Sequence, residues 1–329
     1  MKTRKLGDTD EELSVIGFGT WAIGGGDWGM GWGDQDEKDS IAAILEGLDQ
    51  GINWIDTAHA YGFGVSEASV GKALKEYGGK VFVATKCGVL PKEDRAPYRF
   101  ISRKTIFEEV EGSLQRLQTD CIDLYQIHWP EPVENVAEGW QALLDLKEEG
   151  KIRHAAVCNF FVDQLDTAEA LGHVTSNQPQ YSLLDRRIES GVLDWCRQKS
   201  TGLLTYSPMH SGLLTSKVSR EWYDSLPDND WRKHKGSDHP VSRCLQEPNT
   251  GPFLDFVGKL GQLASASGHT VGQLAVAWVL SHPEVTSAIV GARKPGQIVE
   301  TAKAADWELS KDELDAIEAA CKEYTTTAQ

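Results

Sequence analysis

Four side chains that could carry proton chemistry stand at, or just after, the ends of three short apolar segments. Asp56, Lys86 and His128 each end or follow a run of strand length, and Tyr61 lies in the polar turn after Asp56. An apolar run that stops at an ionisable residue is typical of a buried strand leading into a functional loop. The carboxyl ends of all strands meet on one face of a parallel barrel, so we expect these four side chains to lie close together.

Each of these residues also has a purely structural explanation. A single Asp after a strand is often a turn residue or a helix cap, and a single His is often a hydrogen-bonded, half-buried side chain. For any one residue alone, that explanation is the more common one. The repetition at three successive strand ends favours a shared site.

The elements that must position these residues alternate between strand and helix patterns. Apolar runs predict eight barrel strands, at 15–20, 54–56, 81–85, 122–128, 154–157, 175–179, 202–206 and 285–290. Helical spacing of apolar residues predicts helices at 36–50, 66–77, 102–117, 133–149, 162–171, 189–199, 253–266, 271–281 and 295–304. Eight strands that alternate with helices predict an α/β fold, a single (β/α)8 TIM barrel domain spanning residues 1–329.

Three additions to the barrel are also predicted. A hairpin of 4–6 and 12–14 would cap the bottom, and 312–322 would form an appended C-terminal helix. The irregular segment 219–252 after strand seven is long enough to suggest a functional loop or lid. An open doubly wound sheet is the competing fold, but no GxGxxG motif follows the first strand, and Gly24-Gly25-Gly26 lies in a Trp-rich loop that does not open a helix.

Composition restricts the classes of partner. The 329-residue chain carries a net charge of −16, which argues against general binding to nucleic acid or to anionic membranes. Its six cysteines form no CxxC pair, as expected of reduced thiols in a cytoplasmic protein. Neither a signal peptide pattern nor an apolar run of about 20 residues is visible. We therefore expect a soluble cytoplasmic protein without a nucleic-acid or membrane partner; the sequence leaves its oligomeric state open.

Seven short motifs occur in order along nearly the whole chain, one at almost every predicted strand. They are Gly17-Phe18-Gly19-Thr20-Trp21, Asp56-Thr57-Ala58-His59-Ala60-Tyr61-Gly62, Ala84-Thr85-Lys86, Gln126-Ile127-His128-Trp129, Asn177-Gln178-Pro179-Gln180-Tyr181-Ser182, Tyr206-Ser207-Pro208-Met209 and Gly291-Ala292-Arg293-Lys294-Pro295. In this combination the chain resembles the aldo-keto reductase family. The resemblance implies an NADP(H)-dependent oxidoreductase that reduces aldehyde or ketone carbonyls to alcohols. The cofactor would lie extended across the barrel mouth, without a Rossmann domain.

The resemblance implies catalytic roles for Asp56, Tyr61, Lys86 and His128, with Tyr61 as the general acid. A free phenol with a pKa near 10 is a poor acid at neutral pH. An ammonium ~4 Å from a phenolate contributes roughly 4 kcal/mol at an effective dielectric of about 20, which would lower the Tyr61 pKa before desolvation opposes it. Lys86 is the expected ammonium, with Asp56 as its counter-ion. A neutral His128 would aim the carbonyl oxygen through a hydrogen bond.

The resemblance also implies where the cofactor lies. Asn159 and Gln180 match the positions that hold the nicotinamide carboxamide, and Tyr206 matches the aromatic residue that stacks on the nicotinamide ring. Arg293 matches a residue that pairs with the adenosine 2′-phosphate, for which a guanidinium is well shaped. The full set of expected cofactor positions is Thr20, Trp21, Asp56, Cys158, Asn159, Gln180, Tyr206, Ser207, Pro208, Met209, Ser211, Gly212, Leu213, Gly291, Arg293, Gln297, Glu300 and Thr301. The expected substrate contacts are Trp21, Tyr61, His128 and Trp129.

Two positions depart from the family pattern. Cys158 stands where a Ser is usual beside the Asn, and Thr301 stands where an Asn is usual beside Glu300. A thiol is a weaker hydrogen-bonding group than a hydroxyl. These changes bear on cofactor affinity and on the preference for NADP over NAD, and neither touches the four catalytic positions.

Two functions from other classes compete with carbonyl reduction. A metal-dependent barrel hydrolase could use Asp56, His59 and His128 as ligands. That class needs an HxH pair on the first strand, where this chain has Gly17-Phe18-Gly19, so no metal is predicted. The resembling family also includes channel-associated subunits, which makes a non-catalytic, cofactor-binding regulatory role the other alternative. The substrate itself is not determined by these patterns.

Overall fold

The computed structural model describes residues 1–233 and 240–327. Its strands are β1 (Thr3–Lys5), β2 (Glu12–Ser14), β3 (Ile16–Gly19), β4 (Trp54–Asp56), β5 (Phe82–Cys87), β6 (Val89–Pro91), β7 (Pro97–Arg99), β8 (Ile122–Ile127), β9 (Ile152–Cys158), β10 (Ser176–Gln178), β11 (Gly202–Tyr206) and β12 (Ser287–Gly291). Its helices are α1 (Glu37–Asp49), α2 (Val65–Tyr77), α3 (Arg103–Leu117), α4 (Val136–Glu148), α5 (Val162–Glu169), α6 (Val192–Lys199), α7 (Arg220–Asp224), α8 (Pro240–Cys244), α9 (Thr250–Ala266), α10 (Val271–Leu280), α11 (Gln297–Ala302) and α12 (Lys311–Thr327).

Eight of the strands close into a parallel barrel. Around the barrel their order is β3, β4, β5, β8, β9, β10, β11 and β12, and β12 pairs with β3 to complete the ring. Each connection between neighbouring barrel strands contains a helix, and the strands are buried almost throughout, as in parallel sheets covered by helices. The predicted (β/α)8 TIM barrel is confirmed.

The N-terminal hairpin fills the bottom of the barrel. β1 and β2 pair antiparallel, and Leu6 and Leu13 pack with Trp54 in the inner cluster of the barrel. The indole Nε1 of Trp54 donates to the Ser14 carbonyl oxygen at 3.1 Å. A Cβ atom at Gly17 would lie 2.2 Å from the Trp54 ring, so only glycine permits this indole inside the barrel. The hairpin cap predicted from the sequence is present.

Helix starts agree with local capping chemistry. The Asp36 carboxylate accepts hydrogen bonds from the first-turn amides of α1. Ser102 forms a capping box with Thr105 at the start of α3, and Thr270 forms one with Gln273 at the start of α10. These caps hold helices whose apolar faces cover the barrel.

Two predicted loops contain more structure than their composition suggested. The loop predicted after strand three forms a second hairpin, in which β6 pairs antiparallel with β7. The segment 219–252, expected to be irregular, contains α7, a 3-10 turn at Trp231–Lys233 and α8, and α9 begins within it at Thr250. Burial of indole and aliphatic side chains against neighbouring loops stabilises these short elements, which sequence periodicity cannot show. Residues 234–239 of that segment lie outside the described residues.

Within the described residues, no helix combines the length and apolar character needed to cross a membrane.

Candidate active site

The carboxyl ends of β4, β5 and β8 bring the four strand-end residues together. Asp56 is the last residue of β4, Lys86 lies one residue before the end of β5, and His128 directly follows β8. The register pairs Asp56 with Ala84, and Lys86 with Gln126, so each polar residue lies two residues further along its strand than the partner of the one before it. All three nevertheless stand at or next to the carboxyl ends of adjacent strands. The Tyr61 and His128 rings are 5.8 Å apart between centroids.

Lys86 is the centre of this group. Its ammonium donates to Asp56 Oδ2 at 2.6 Å, to the Thr57 carbonyl oxygen at 2.9 Å and to Tyr61 Oη at 3.1 Å. All three N–H donors of the side chain are therefore engaged, and Lys86 is only 1% exposed. Because the phenol oxygen accepts from Lys86, the phenolic hydrogen of Tyr61 is available to a ligand.

A buried amide supports the other oxygen of Asp56. Gln178 at the end of β10 donates from Nε2 to Asp56 Oδ1 at 2.6 Å, and it also reaches Gln126 Oε1 at 3.2 Å. Gln178 lines the same cavity as Tyr61. Gln180 was expected in the site from the sequence, whereas Gln178 was not. Its position as the last residue of the sixth barrel strand was the available signal.

Burial governs protonation at the centre of the site. Burial raises the pKa of Tyr61 above its ordinary value; Lys86 opposes this shift and does not cancel it. Burial alone would lower the pKa of Lys86, but the charge of Asp56 raises it above the ordinary value. Lys86 does lower the Tyr61 pKa, as expected, but burial has the larger effect, so the expected net decrease is wrong. In this structure Tyr61 is a neutral phenol beside a fixed ammonium.

His128 is neutral at physiological pH. Burial, and then the positive charges of Lys86 and Arg99, hold its pKa well below the ordinary value. Its ring Nδ1 is buried and has no hydrogen-bond partner among the residues the structure describes. A buried, unpaired N–H is costly, so the proton is better placed on Nε2, where it can donate to a ligand.

A cavity of about 1380 Å³ opens above these residues. Its wall contains Trp21, Trp28, Trp129 and Tyr61 near His128, which makes this end aromatic. Every expected cofactor position lines the cavity except Thr20 and Leu213. Thr20 is buried behind the wall, where its hydroxyl donates to the Asp56 carbonyl oxygen at 3.0 Å, and the Leu213 side chain is fully buried. Lys86 also lies beneath the wall and acts on the cavity through Tyr61.

Asn159 and Tyr206 form one connected polar wall of the cavity. Tyr206 Oη donates to Asn159 Oδ1 at 2.8 Å, and Asn159 Nδ2 donates to the His128 carbonyl oxygen at 3.0 Å. The Cys158 thiol donates to the Gln178 carbonyl oxygen at 2.9 Å. Because burial raises the pKa of Cys158, the thiol is neutral and can replace a hydroxyl as donor there.

The chain after β11 is shaped to hold an anion. Ser207, His210, Ser211 and Gly212 all have positive φ angles, between 46° and 86°. Successive peptide groups in such conformations form concave nests that bind phosphate groups. Ser207, Ser211 and Gly212 line the cavity. The diphosphate of an extended dinucleotide fits this cradle, and the aromatic end by Tyr61 leaves room for a flat ring.

Arg293 lies on the cavity wall but is held by the first loop, residues 20–36. Its guanidinium donates to the carbonyl oxygens of Trp32 at 2.8 Å and Asp34 at 2.5 Å, and to Gln35 Oε1 at 2.9 Å. Arg293 is therefore positioned by the loop itself. A phosphate beside it would share a guanidinium that already orders the cavity rim.

The segment after β11 packs against that first loop. Trp32 and Asp230 form an isolated β-bridge, and the Trp21 and Trp231 rings stack at 5.3 Å. The Arg232 guanidinium lies 4.3 Å from the Trp32 ring centroid and 5.1 Å from that of Trp222. Trp222 and Arg232 line the cavity, so the described part of the predicted functional loop contacts the site.

The geometry separates the ligands of the metal-hydrolase alternative. Asp56 is committed to Lys86 and Gln178, whereas His59 Nδ1 faces Arg116 Nη2 at 3.1 Å. Within residues 1–233 and 240–327, no group of three or more His, Cys, Asp or Glu side chains is arranged to hold a metal ion.

Comparison with known proteins agrees with this arrangement. The model of the Aldo/keto reductase family matches residues 15–322. Aldo-keto reductase YhdN of Bacillus subtilis (strain 168) is 42% identical over 96% of this chain and 92% of its own length. The NADH-specific methylglyoxal reductase of Escherichia coli (strain K12) is 37% identical over 94% of this chain and 95% of its own length. A probable voltage-gated potassium channel subunit beta of Oryza sativa subsp. japonica is 30% identical over 97% of this chain and 96% of its own length.

Solved structures show the same likeness. The glycerol dehydrogenase AKR11B4 from Gluconobacter oxydans superimposes with a TM-score of 0.87 at 35% identity, covering 98% of this chain and 96% of that one. An aldo-keto reductase from Klebsiella pneumoniae in complex with NADPH has a TM-score of 0.72 at 28% identity, covering 97% of this chain and 94% of that one. The chain belongs to the aldo/keto reductase family. It is an oxidoreductase of a family that reduces carbonyl groups with a nicotinamide cofactor.

Proposed function

We propose that this protein reduces small aldehydes or ketones to alcohols, with NADP(H) as cofactor and Tyr61 as the proton donor. The observation that carries the proposal is the buried contact of Lys86 with both Asp56 and Tyr61 on the floor of a cavity beside His128. A neutral phenol held by an ammonium is a proton donor whose conjugate base is stabilised as it forms.

The residues divide the proton chemistry among them. When bound, the nicotinamide supplies the hydride that the carbonyl carbon accepts. Tyr61 gives its phenolic proton to the oxygen that becomes the alcohol, and Lys86 stabilises the phenolate left behind. His128 donates from Nε2 to the same oxygen and orients the carbonyl. Asp56 keeps Lys86 charged and in place, and Gln178 keeps Asp56 in place.

The aromatic end of the cavity supports a small, compact substrate. Trp28 and Trp129 lie close to Tyr61 and His128, with ring centroids 6.3 Å and 6.5 Å from them, respectively. These flat side chains leave few polar groups besides the catalytic ones for a substrate to satisfy. Methylglyoxal and glycerol, named in two of the related proteins, are small oxygenated molecules of the size we propose.

We assign NADP(H) preference to Arg293. Its guanidinium lies on the cavity wall near Gln297 and Glu300, where the adenosine end of an extended cofactor would lie. One related structure contains NADPH, while one relative is described as NADH-specific. The charge of Arg293 favours the cofactor that carries the additional 2′-phosphate.

A non-catalytic regulatory subunit is the second candidate, because one relative is described as a probable potassium channel subunit. The complete and connected group of Asp56, Tyr61, Lys86 and His128 favours catalysis, since a purely structural cofactor site has no use for a proton donor. We further propose that the chain acts as one barrel domain in the cytoplasm, where reduced thiols such as Cys87 and Cys158, which form no disulfide, are expected.

Turnover with a panel of carbonyl compounds tests the proposal. Purified protein should oxidise NADPH with methylglyoxal and with at least some aromatic aldehydes, aldoses or keto-sugars. NADH should support a lower kcat/KM than NADPH. Tight cofactor binding without turnover of any compound would refute the enzyme and favour the regulatory subunit.

A further inference from the structure

A buried carboxylate outside the cavity holds the strand end that carries Lys86. Glu109 belongs to α3 and is 7% exposed. Its two oxygens accept the Gly88 N–H, at 3.0 Å for Oε1 and 3.1 Å for Oε2. Gly88 directly follows β5, two residues after Lys86. Burying a carboxylate at a strand end costs free energy, so we expect Glu109 to have a role besides packing.

The peptide group held by Glu109 also holds His128. The carbonyl oxygen of the Cys87–Gly88 peptide accepts the main-chain N–H of His128 at 2.9 Å, while its N–H is bound by Glu109. One peptide plane is thus fixed on both sides, between α3 and the residue after β8. The Gly88 carbonyl oxygen accepts from Phe100 N–H at 3.1 Å, which ties down the β6–β7 hairpin as well.

Glycine is required where this peptide turns. Gly88 has a φ of 85°, and a Cβ atom there would lie 2.7 Å from Ile101 Cγ2. The next residue, Val89, lines the cavity. The chain therefore passes from Lys86 to the cavity wall within three residues, and its direction depends on how the Cys87–Gly88 peptide is held.

We propose that Glu109 is a positioning residue for carbonyl reduction, acting through the Cys87–Gly88 peptide on the main chain that carries Lys86 and His128. This inference rests on the proposed function. Glu109 touches neither substrate nor cofactor. Its effect is to keep the ammonium and the imidazole at the distances from Tyr61 that proton transfer needs.

Several titratable groups lie around Glu109 on the surrounding elements. Glu67 of α2, and Glu108 and Arg116 of α3, carry charge, whereas burial keeps Cys87 of β5 and Tyr125 of β8 neutral. Burial raises the pKa of Glu109 to about 8, the Gly88 N–H opposes this, and Glu67 adds to it. A cavity of about 200 Å³ lined by His59, Thr105 and Arg116 adjoins the carboxyl group and offers protons a short path from solvent.

The ionised carboxylate is the stronger acceptor for the Gly88 N–H. The wild-type kcat should therefore rise as the pH passes through about 8, because Glu109 becomes ionised there. His128 does not titrate in this window, since its pKa is well below 6.5, and the pKa values of Tyr61 and Lys86 are raised above their ordinary values of about 10. Glu109 is thus the group expected to produce this limb of the pH profile.

Two variants and a matched control test the proposal. Glu109→Gln keeps one acceptor oxygen and cannot titrate, and Glu109→Leu removes the acceptor. Glu108→Gln, on the exposed side of the same helix, is the control. Glu109→Leu should lower kcat by about tenfold to a hundredfold, as expected when a buried donor loses its partner, with the NADPH Kd changed less than about threefold. Glu109→Gln should retain most activity and lose the rise of kcat near pH 8.

Each alternative result is decisive. A wild-type pH profile in Glu109→Gln, or a folded Glu109→Leu with kcat within about threefold of wild type, would overturn the proposal. If Glu109→Leu does not fold, Glu109→Gln carries the test alone. Hydrogen exchange at the Gly88 and His128 amides needs no turnover: at pH 6, where Glu109 is protonated in the wild type, we expect a folded Glu109→Leu, but not Glu109→Gln or Glu108→Gln, to exchange faster than wild type. Unchanged exchange overturns the inference even if wild-type protein reduces no carbonyl, an outcome that would separately refute the proposed function.

Discussion

Replacing Lys86 by Met tests whether the ammonium acts through Tyr61. The two groups are 3.1 Å apart; Lys86 is buried and Tyr61 is partly buried. At that distance, an ammonium and a phenolate attract each other by roughly 5 kcal/mol at an effective dielectric of about 20. Loss of this attraction in the transition state corresponds to a fall in kcat of about 10³-fold to 10⁴-fold. NADPH binding should change little, because Lys86 does not line the cavity.

A double-mutant cycle measures how much of the effect of Lys86→Met depends on Tyr61. Tyr61→Phe alone should remove nearly all reduction, by about 10²-fold to 10⁴-fold, and leave cofactor binding almost intact. If Lys86 acts through Tyr61, adding Lys86→Met to Tyr61→Phe should lower kcat hardly further. Single-turnover kinetics at saturating NADPH measures the rates, and cofactor fluorescence titration measures Kd. Fully multiplicative losses in the double variant would refute the reasoning.

Stability must be measured beside activity, because breaking a buried ion pair costs about 3–5 kcal/mol. Asp56 keeps its hydrogen bond from Gln178 at 2.6 Å, which should limit the cost in Lys86→Met. Thermal unfolding of the variant, with and without NADPH, reports the loss. Lys72→Met is the matched control: its exposed pair with Glu37 should contribute little to activity or stability.

Three other predictions address the rest of the molecule. Arg293→Ala should raise the NADPH Kd by roughly tenfold to a hundredfold and the NADH Kd much less, and equal weakening of both cofactors would refute the 2′-phosphate role. In the control Gln35→Ala, which removes only a contact between Arg293 and the first loop, the Kd values of both cofactors should change alike. Tryptic cleavage after Arg220 should slow when NADP(H) and a substrate analogue bind, because Trp222 and Arg232 line the cavity; an unchanged rate would refute a ligand-responsive loop. Because the Glu109 pKa is raised to about 8, the contribution of Glu109 to stability should be fully present below about pH 4.5 and lost as pH rises through 8. The free energy of unfolding of Glu109→Gln relative to wild type should therefore increase by up to roughly 5 kcal/mol between pH 4 and pH 9, and a pH-independent difference would contradict this.

The barrel and the group around Tyr61 were accessible from local patterns. Strand-length apolar runs ending in Asp56, Lys86 and His128 identify both the fold and the face on which the residues meet, because parallel barrel strands all end on that face. Helix bounds agreed to within a few residues, since caps and periodicity are encoded by neighbours in the chain. The second hairpin, β6–β7, was missed because its short strands are set by packing at the cavity rim.

The alternating order of elements, the parallel barrel and the identity of the residues at its strand ends can all be predicted from local patterns, because these features follow from periodicities of a few residues. The hydrogen bonds between these groups depend on tertiary packing. Gln178 reaches Asp56, Arg293 is bound by first-loop carbonyls, and Glu109 holds the peptide after Cys87. Each contact joins elements distant in the chain, and burial then sets the direction in which their pKa values move. Local sequence marks Gln178 as a strand-end residue, but it does not show these long-range contacts or the pKa shifts that burial causes.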